Sequence, residues 1–242
     1  MLSKTAWVLV VNVHQSLLKK RNNIHLYINL FGLVMYLAYP FIAGWNFFYV
    51  TLAGILLSNI VISGYYHRSL THRSWVAPTW LQYVFLTIGA GFFMLPALGW
   101  SAIHRKHHKY SDTDQDPHGP GKGVLKNFLV ANLDPELRYM RPDIRNKLLQ
   151  WQVKYYYQIG IIIAIITSLL FSVYTYFALV GYIYLSVVIV NLLGHNEKFH
   201  NSHILSAIFA GEMYHKNHHN NPNKEKMGLF DLPYWTVIRW LK

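Results

Sequence analysis

The sequence predicts an all-α integral membrane protein, with four transmembrane helices in two hairpins beneath a cytosolic helical cap. Three observations carry this. Hydrophobic residues make up 53% of the 242-residue chain and charged residues only 13%, about half of the roughly 25% usual in soluble domains. Residues 22–66, 74–103 and 155–196 contain no Asp, Glu, Lys or Arg. All 22 Lys and Arg lie within residues 1–21, 67–154 and 197–242.

A crossing needs about 20 apolar residues, so the runs 22–66 and 155–196 each hold two. The first hairpin is expected to rise through Ile24–Ala38, turn near Pro40–Asn46 and return through Phe47–Tyr66. The second is expected to rise through Tyr157–Tyr174, turn near Thr175–Ala178 and return through Leu179–Leu193. Both turns lack Lys and Arg, so the positive-inside rule places both termini and the segment 67–154 on the cytoplasmic side. The run Ser74–Ile103 contains Pro78, Gly89, Gly91 and Pro96, and is expected to lie in the interface or to re-enter. The whole of 1–242 reads as one domain. Its C-terminal part, 197–242, ends in an amphipathic stretch, Leu229–Lys242, suited to the membrane surface.

The net charge of +12 is thus largely a topology signal. It also suits anionic headgroups of the lipid bilayer or an acidic protein partner, and no nucleic-acid partner is expected. Lys19, Lys20 and Arg21 follow the first weak apolar run, which does not make a cleavable signal. Absence of cysteine excludes a disulfide scaffold, a CxxC zinc site, an iron–sulfur cluster and a thiol nucleophile.

Eleven of the fourteen histidines cluster: His67-x4-His72, His104-x2-His107-His108, His195 with His200 and His203, and His215-x2-His218-His219. H-x-x-H-H on a helix sets residues 0, 3 and 4 on one face, so each copy would aim three imidazoles into one volume, and two copies suit two metal ions. Asn191 and His195 share a face in the same way. His67 and His72 are about 140° apart on a regular helix, so they converge only where that helix ends or distorts. Imidazole suits Fe, Zn, Cu and Ni. A carboxylate-bridged bundle site needs Glu on two helices and Glu-x-x-His on two others, and the ten acids here are too few and too scattered to supply its bridging carboxylates. Asp112, Asp114 and Asp116 either hydrogen-bond ligand N–H groups or are ordinary loop residues; Glu212 is a further candidate for the first role. His14, His25 and His118 read as ordinary polar side chains, and His200 and His203 as groups outside the ligand set.

These boxes, in this order, resemble the membrane fatty-acid desaturases, with the strongest likeness to the stearoyl-CoA (delta-9) branch. That branch carries H-x4-H, two H-x-x-H-H boxes and an Asn-x-x-x-His box matched by Asn191–His195. The segment His108–His118 and Trp100, four before His104, extend the likeness, which covers roughly residues 25–240. The resemblance implies two iron ions held by His67, His72, His104, His107, His108, His195, His215, His218 and His219, with Asn191 acting through a water. It implies O2 as co-substrate, two electrons from a separate ferredoxin or cytochrome b5, and a cis double bond placed in a fatty acyl substrate whose chain passes Trp100. Animal acyl-CoA enzymes have Arg and Asp where this chain has Ala102 and Ile103. The carrier is therefore open between CoA, acyl carrier protein and a glycerolipid.

Two rivals differ in chemistry. A related membrane hydroxylase would use similar boxes and keep an oxygen atom in its product. A metal transporter or sensor would place ionisable residues along its spans, and these spans have no Asp, Glu, Lys or Arg. Gly119–Gly123 lacks the spacing of a phosphate loop and reads as a flexible turn.

Overall fold

The computed structural model describes residues 4–129, 135–209 and 212–241, and the side chains in these ranges except those of 4–22 and 120. The side chains of His14, Lys19, Lys20 and Arg21 therefore lie outside the described residues, as does Lys242. Among the described residues the regular structure is all helical, without strands, and includes the short helices α5 (Gly123–Phe128), α6 (Leu137–Met140) and α9 (His203–Ile208). Four helical stretches are long and apolar enough to cross a membrane: Asn23–Ala43, Asn46–Thr71, Lys147–Leu170 and Val173–Leu193.

Helix α1 (Lys4–Ala43) runs through Pro40, and Gly44, with φ +52°, turns the chain into α2 (Asn46–Leu57). The second pair is α7 (Lys147–Leu170) and α8 (Val173–Leu193). Their connection is Phe171–Ser172, upstream of the turn expected at Thr175–Ala178. The physical reason is the Ser172 hydroxyl, which accepts from the Thr175 N–H at 3.0 Å and caps α8. Helix α8 packs against α1, α2 and α7. The outer helices turn large apolar side chains outward, including Phe31, Val34 and Leu37 on α1 and Ile161, Ile165 and Leu169 on α7. Water would penalise such a surface, whereas lipid accepts it.

Close backbone approach sets the α1–α8 contact. A Cβ on Gly181 would sit 2.0 Å from the Gly32 carbonyl oxygen, the small-residue packing that helices in lipid use. Gly181→Ala must push the two helices apart and is expected to cost about 1–3 kcal/mol, read as a lower thermal midpoint in detergent.

The stretch 74–103 does not form a span. Helix α3 (Thr79–Gly91) has 13 residues, about 20 Å at 1.5 Å each, too short for a hydrocarbon core of about 30 Å. It packs on α7 and on the end of the second span. The corner after it holds Phe93 and Leu95 at φ +53° and +67°, a strained conformation for bulky residues. Beyond the corner starts α4 (Ala97–Tyr110), which carries the second histidine box. Buried Gln152 of α7 fixes that start. Its side chain accepts from Ala97 N at 2.8 Å and donates to the Tyr66 hydroxyl and the Leu86 carbonyl.

Candidate metal centre

The second span ends in a π-helix, Ser58–Thr71, continuous with α2. The His72 N–H bonds the His67 carbonyl, five residues back, at 3.1 Å. Wider winding brings residues five apart close to one face, so His67 and His72 converge through distortion rather than a helix end. The carbonyls that this winding displaces find other donors. Trp75 Nε1 donates to Gly64 O at 2.8 Å and Thr71 Oγ1 to Tyr66 O at 2.7 Å. Arg105 ties α4 to this segment by donating to the Leu70 carbonyl while pairing with Asp143.

The nine box histidines meet in two groups. His67, His72, His104, His108 and His218 form one, and His107, His195, His215 and His219 the other, with ligand atoms in each within 4.8 Å of one another. Neither H-x-x-H-H box serves a single group, contrary to the expectation of three imidazoles in one volume. On α4 the i, i+4 pair His104/His108 faces the first group and His107 the second. On α10 (His215–Asn220) the pair His215/His219 faces the second group and His218 the first. Residues four apart lie about 40° from alignment, whereas the residue between them is rotated by roughly 60–100°. Each short helix thus reaches two sites at once.

In the second group the Nε2 atoms form a closed ring: His107–His195 3.1 Å, His195–His215 2.7 Å, His215–His219 3.0 Å and His219–His107 3.3 Å. In the first they form a chain: His72–His104 3.1 Å, His104–His108 3.0 Å, His108–His218 2.8 Å and His218–His67 2.9 Å.

Three carboxylates reveal what these contacts are. Glu212 Oε1 lies 3.0 Å from His67 Nδ1, Asp116 Oδ1 2.8 Å from His107 Nδ1, and Asp112 Oδ2 3.1 Å from His195 Nδ1. An ionised carboxylate only accepts, so each Nδ1 carries the proton and each Nε2 a lone pair. His107 and His195 then face each other at 3.1 Å with two acceptors, which repel unless a cation lies between them. Nitrogens at about 2.1 Å from a metal ion stand about 3.0 Å apart when at right angles. The donor set therefore fits two nitrogen-bound ions, each with ligands held in one tautomer by outer partners.

Burial first, and neighbouring imidazoles second, keep the rings of His72, His104, His107, His108, His215, His218 and His219 neutral. They hold His219 down to about 4 and His72 and His107 to about 2, and they hold His104, His215 and His218 well below the ordinary value. In the unfolded chain each takes up a proton near 6.5. The fold's stability without metal is therefore full above about pH 6.5 and falls as the pH drops toward about 4. The thermal midpoint of metal-free protein is expected to fall between pH 7 and pH 5, and added metal to raise it by competing with the protons.

An apolar pocket, partly open to the outside, lies between the π-helical segment and α8 and reaches both groups. Ile62, Leu95, Ile103, Val187 and Val190 line it, together with His67, His104 and His215. Trp100 also lines it and stacks on His104, with ring centroids 4.9 Å apart. Asn191 lines the pocket from α8. Asp114 lies in an outer cleft, where its carbonyl accepts from Lys122.

Sequence reasoning left His25, His118, His200 and His203 outside the ligands, and none of them enters either nitrogen group. His25 bonds Tyr156, and His203 bonds the Tyr214 hydroxyl at 2.6 Å. His118 is not the ordinary polar side chain expected: with His107 and Asp116 it forms a third group able to hold a metal ion. It stacks on His107 at 4.3 Å and lines the cavity. Buried Arg68 was also missed, although it sits inside the first box and beside Glu212.

Four helices able to span a membrane, with two histidine groups able to hold metal ions beside an apolar pocket, define a helical membrane protein with a candidate metal centre. The chain itself belongs to the fatty acid desaturase family, whose model matches residues 40–237, and it is an oxidoreductase of the fatty acyl desaturase type. It is 27% identical to delta-9 acyl-lipid desaturase 1 of Arabidopsis thaliana over 93% of this chain and 81% of that protein. It is 28% identical to the sn-2 palmitoyl-lipid 9-desaturase of Nostoc sp. over 75% of this chain and 73% of that protein. With the sn-1 stearoyl-lipid 9-desaturase of Synechocystis sp. it shares 25% identity over 77% of this chain and 64% of that protein.

Proposed function

We propose that this chain is an O2-dependent delta-9 desaturase acting on acyl chains of membrane glycerolipids, with two iron ions in the two histidine groups. The observation that carries it is the pairing of two lone-pair nitrogen groups with an apolar cavity that reaches both. The glycerolipid carrier is supported by Ala102 and Ile103, which offer no charge to a CoA moiety, and by the names of the relatives. Both termini and the metal centre are assigned to the cytoplasmic face, where all the Lys and Arg lie.

Bound iron, with O2 and two electrons from an external carrier, supplies the power to take one hydrogen from each of two adjacent methylenes, the oxygen leaving with two added protons as two waters. The protein's part is orientation and protection. The nine imidazoles hold the ions, and Glu212, Asp116 and Asp112 keep the Nδ1 protons of His67, His107 and His195 in place. Trp100 packs flat on His104 at the cavity wall. The apolar lining excludes water and holds the chain extended past both groups.

Expression in a host lacking its own desaturase, with a ferredoxin or cytochrome b5 supplied, and mass spectrometry of total lipids tests this. A new monounsaturated acyl chain with its bond at carbon 9 is the expected result. A hydroxylated product would assign the chain to hydroxylase chemistry instead, and iron-free protein with transport activity would overturn the reading.

A further inference from the structure

The desaturase reading requires two electrons per double bond, and a chain without cysteine has no iron–sulfur cluster to hold them. They must enter through the cap surface. Three recesses there differ in charge. One is lined by Asp112, Asp114 and Asp116 against a single Lys122. A second sets Lys106, Lys122, Lys126 and Arg138 against Asp114, Asp116 and Glu136, and Glu136 pairs with both Lys106 and Arg138. The third is lined by Asn217, His218, Asn220, Asn221, Lys224 and Met227, with no carboxylate.

Of the three, only the third is lined by a member of either nitrogen group. His218 Nε2 lies 2.9 Å from His67 Nε2 and 2.8 Å from His108 Nε2. A single imidazole therefore separates this recess from the first metal position. Lys224 in its lining is exposed, as is Lys216, the neighbour of lining residue Asn217. Of the nearby acids, Glu212 bonds His67, Asp231 is fully buried against Arg68, and Glu225, beside Lys224, is half-buried and outside the lining. We propose that this recess, with Lys216 and Lys224, is the docking surface for an acidic one-electron carrier protein, an inference that rests on the desaturase reading. A carrier of single electrons must dock twice per turnover, so fast, steered, weak association is what the site needs. Solvated lysines around a polar recess supply that.

The test uses the full chain in lipid nanodiscs, with a plant-type [2Fe–2S] ferredoxin and the soluble domain of cytochrome b5 as probes. Surface plasmon resonance should show saturable binding of at least one carrier, weakening as salt rises. The double variant Lys216→Glu/Lys224→Glu should raise Kd at least tenfold and flatten the salt dependence. Lys122→Glu/Lys126→Glu should stay within twofold of the parent. Unchanged binding in the first pair, equal weakening in the second, or no binding of either carrier overturns the proposal. Dithionite-driven turnover separates the two readings: the first pair should keep the parent's yield of unsaturated product per iron. A parent that makes no product with dithionite counts against desaturation, while the binding comparison still decides the docking surface.

Discussion

His218→Ala is expected to insert into the membrane normally and to lose more than about 100-fold of its product, a greater loss than that of an outer hydrogen-bond partner. His218 belongs to the five-nitrogen group and stands between His67 and His108. Alanine removes one donor and opens the group toward the surface recess that His218 lines. His107→Ala should fail equally, because it breaks the four-membered ring and leaves Asp116 buried without its imidazole partner. Iron content should drop in both. His200→Ala, outside both groups, should keep its iron and its activity. Full activity in His218→Ala would remove that residue from the ligands.

The spans were legible because charge is excluded from their central stretches, with Arg68, Lys147 and Lys154 toward their ends: a run of 45 uncharged residues has few homes other than lipid. The histidine boxes were legible because four-residue spacing is a local property of a helix. The condition that the first box sits where a helix distorts was legible too, since five residues do not align on a regular turn. What the distortion is, a π-helix over Ser58–Thr71, depends on long-range partners for the displaced carbonyls, such as Trp75. The division of each box between two groups likewise depends on how α4 faces α10, more than a hundred residues away. Ser172 was a readable cap, with Thr175 three residues on, but a long apolar run on both sides masked it. His118 and Arg68 carry no spacing signal. Their importance comes from what folds onto them.

Arg68 gives the second large effect. It is fully buried, and its guanidinium donates to Asp231 at 2.6 Å, to the Glu225 carbonyl at 3.1 Å and to Ser63 at 3.3 Å, with Glu212 at 3.8 Å. Asp231, also fully buried, accepts from the Met227 and Tyr234 N–H groups. The pair thus fastens the C-terminal segment to the π-helix, and Glu212 beside it orients His67. Arg68→Met fills similar volume and leaves the Asp231 charge buried without its cation, which costs about 3–5 kcal/mol when such a pair is broken. Thermal denaturation in detergent should show it. A second substitution separates the pair's two jobs. Arg68→Met with Asp231→Asn removes both charges and keeps an amide oxygen to accept from the Met227 or Tyr234 N–H, so much of the lost stability should return. Iron retention against a chelator should not return with it. Glu212 would still lack its nearby cation, and the hold on His67 would stay weaker by about 10–100-fold in metal affinity. If stability and iron retention recover together in the double variant, Arg68 acts only as a structural tie. If stability alone recovers, the guanidinium sets the carboxylate that sets the ligand.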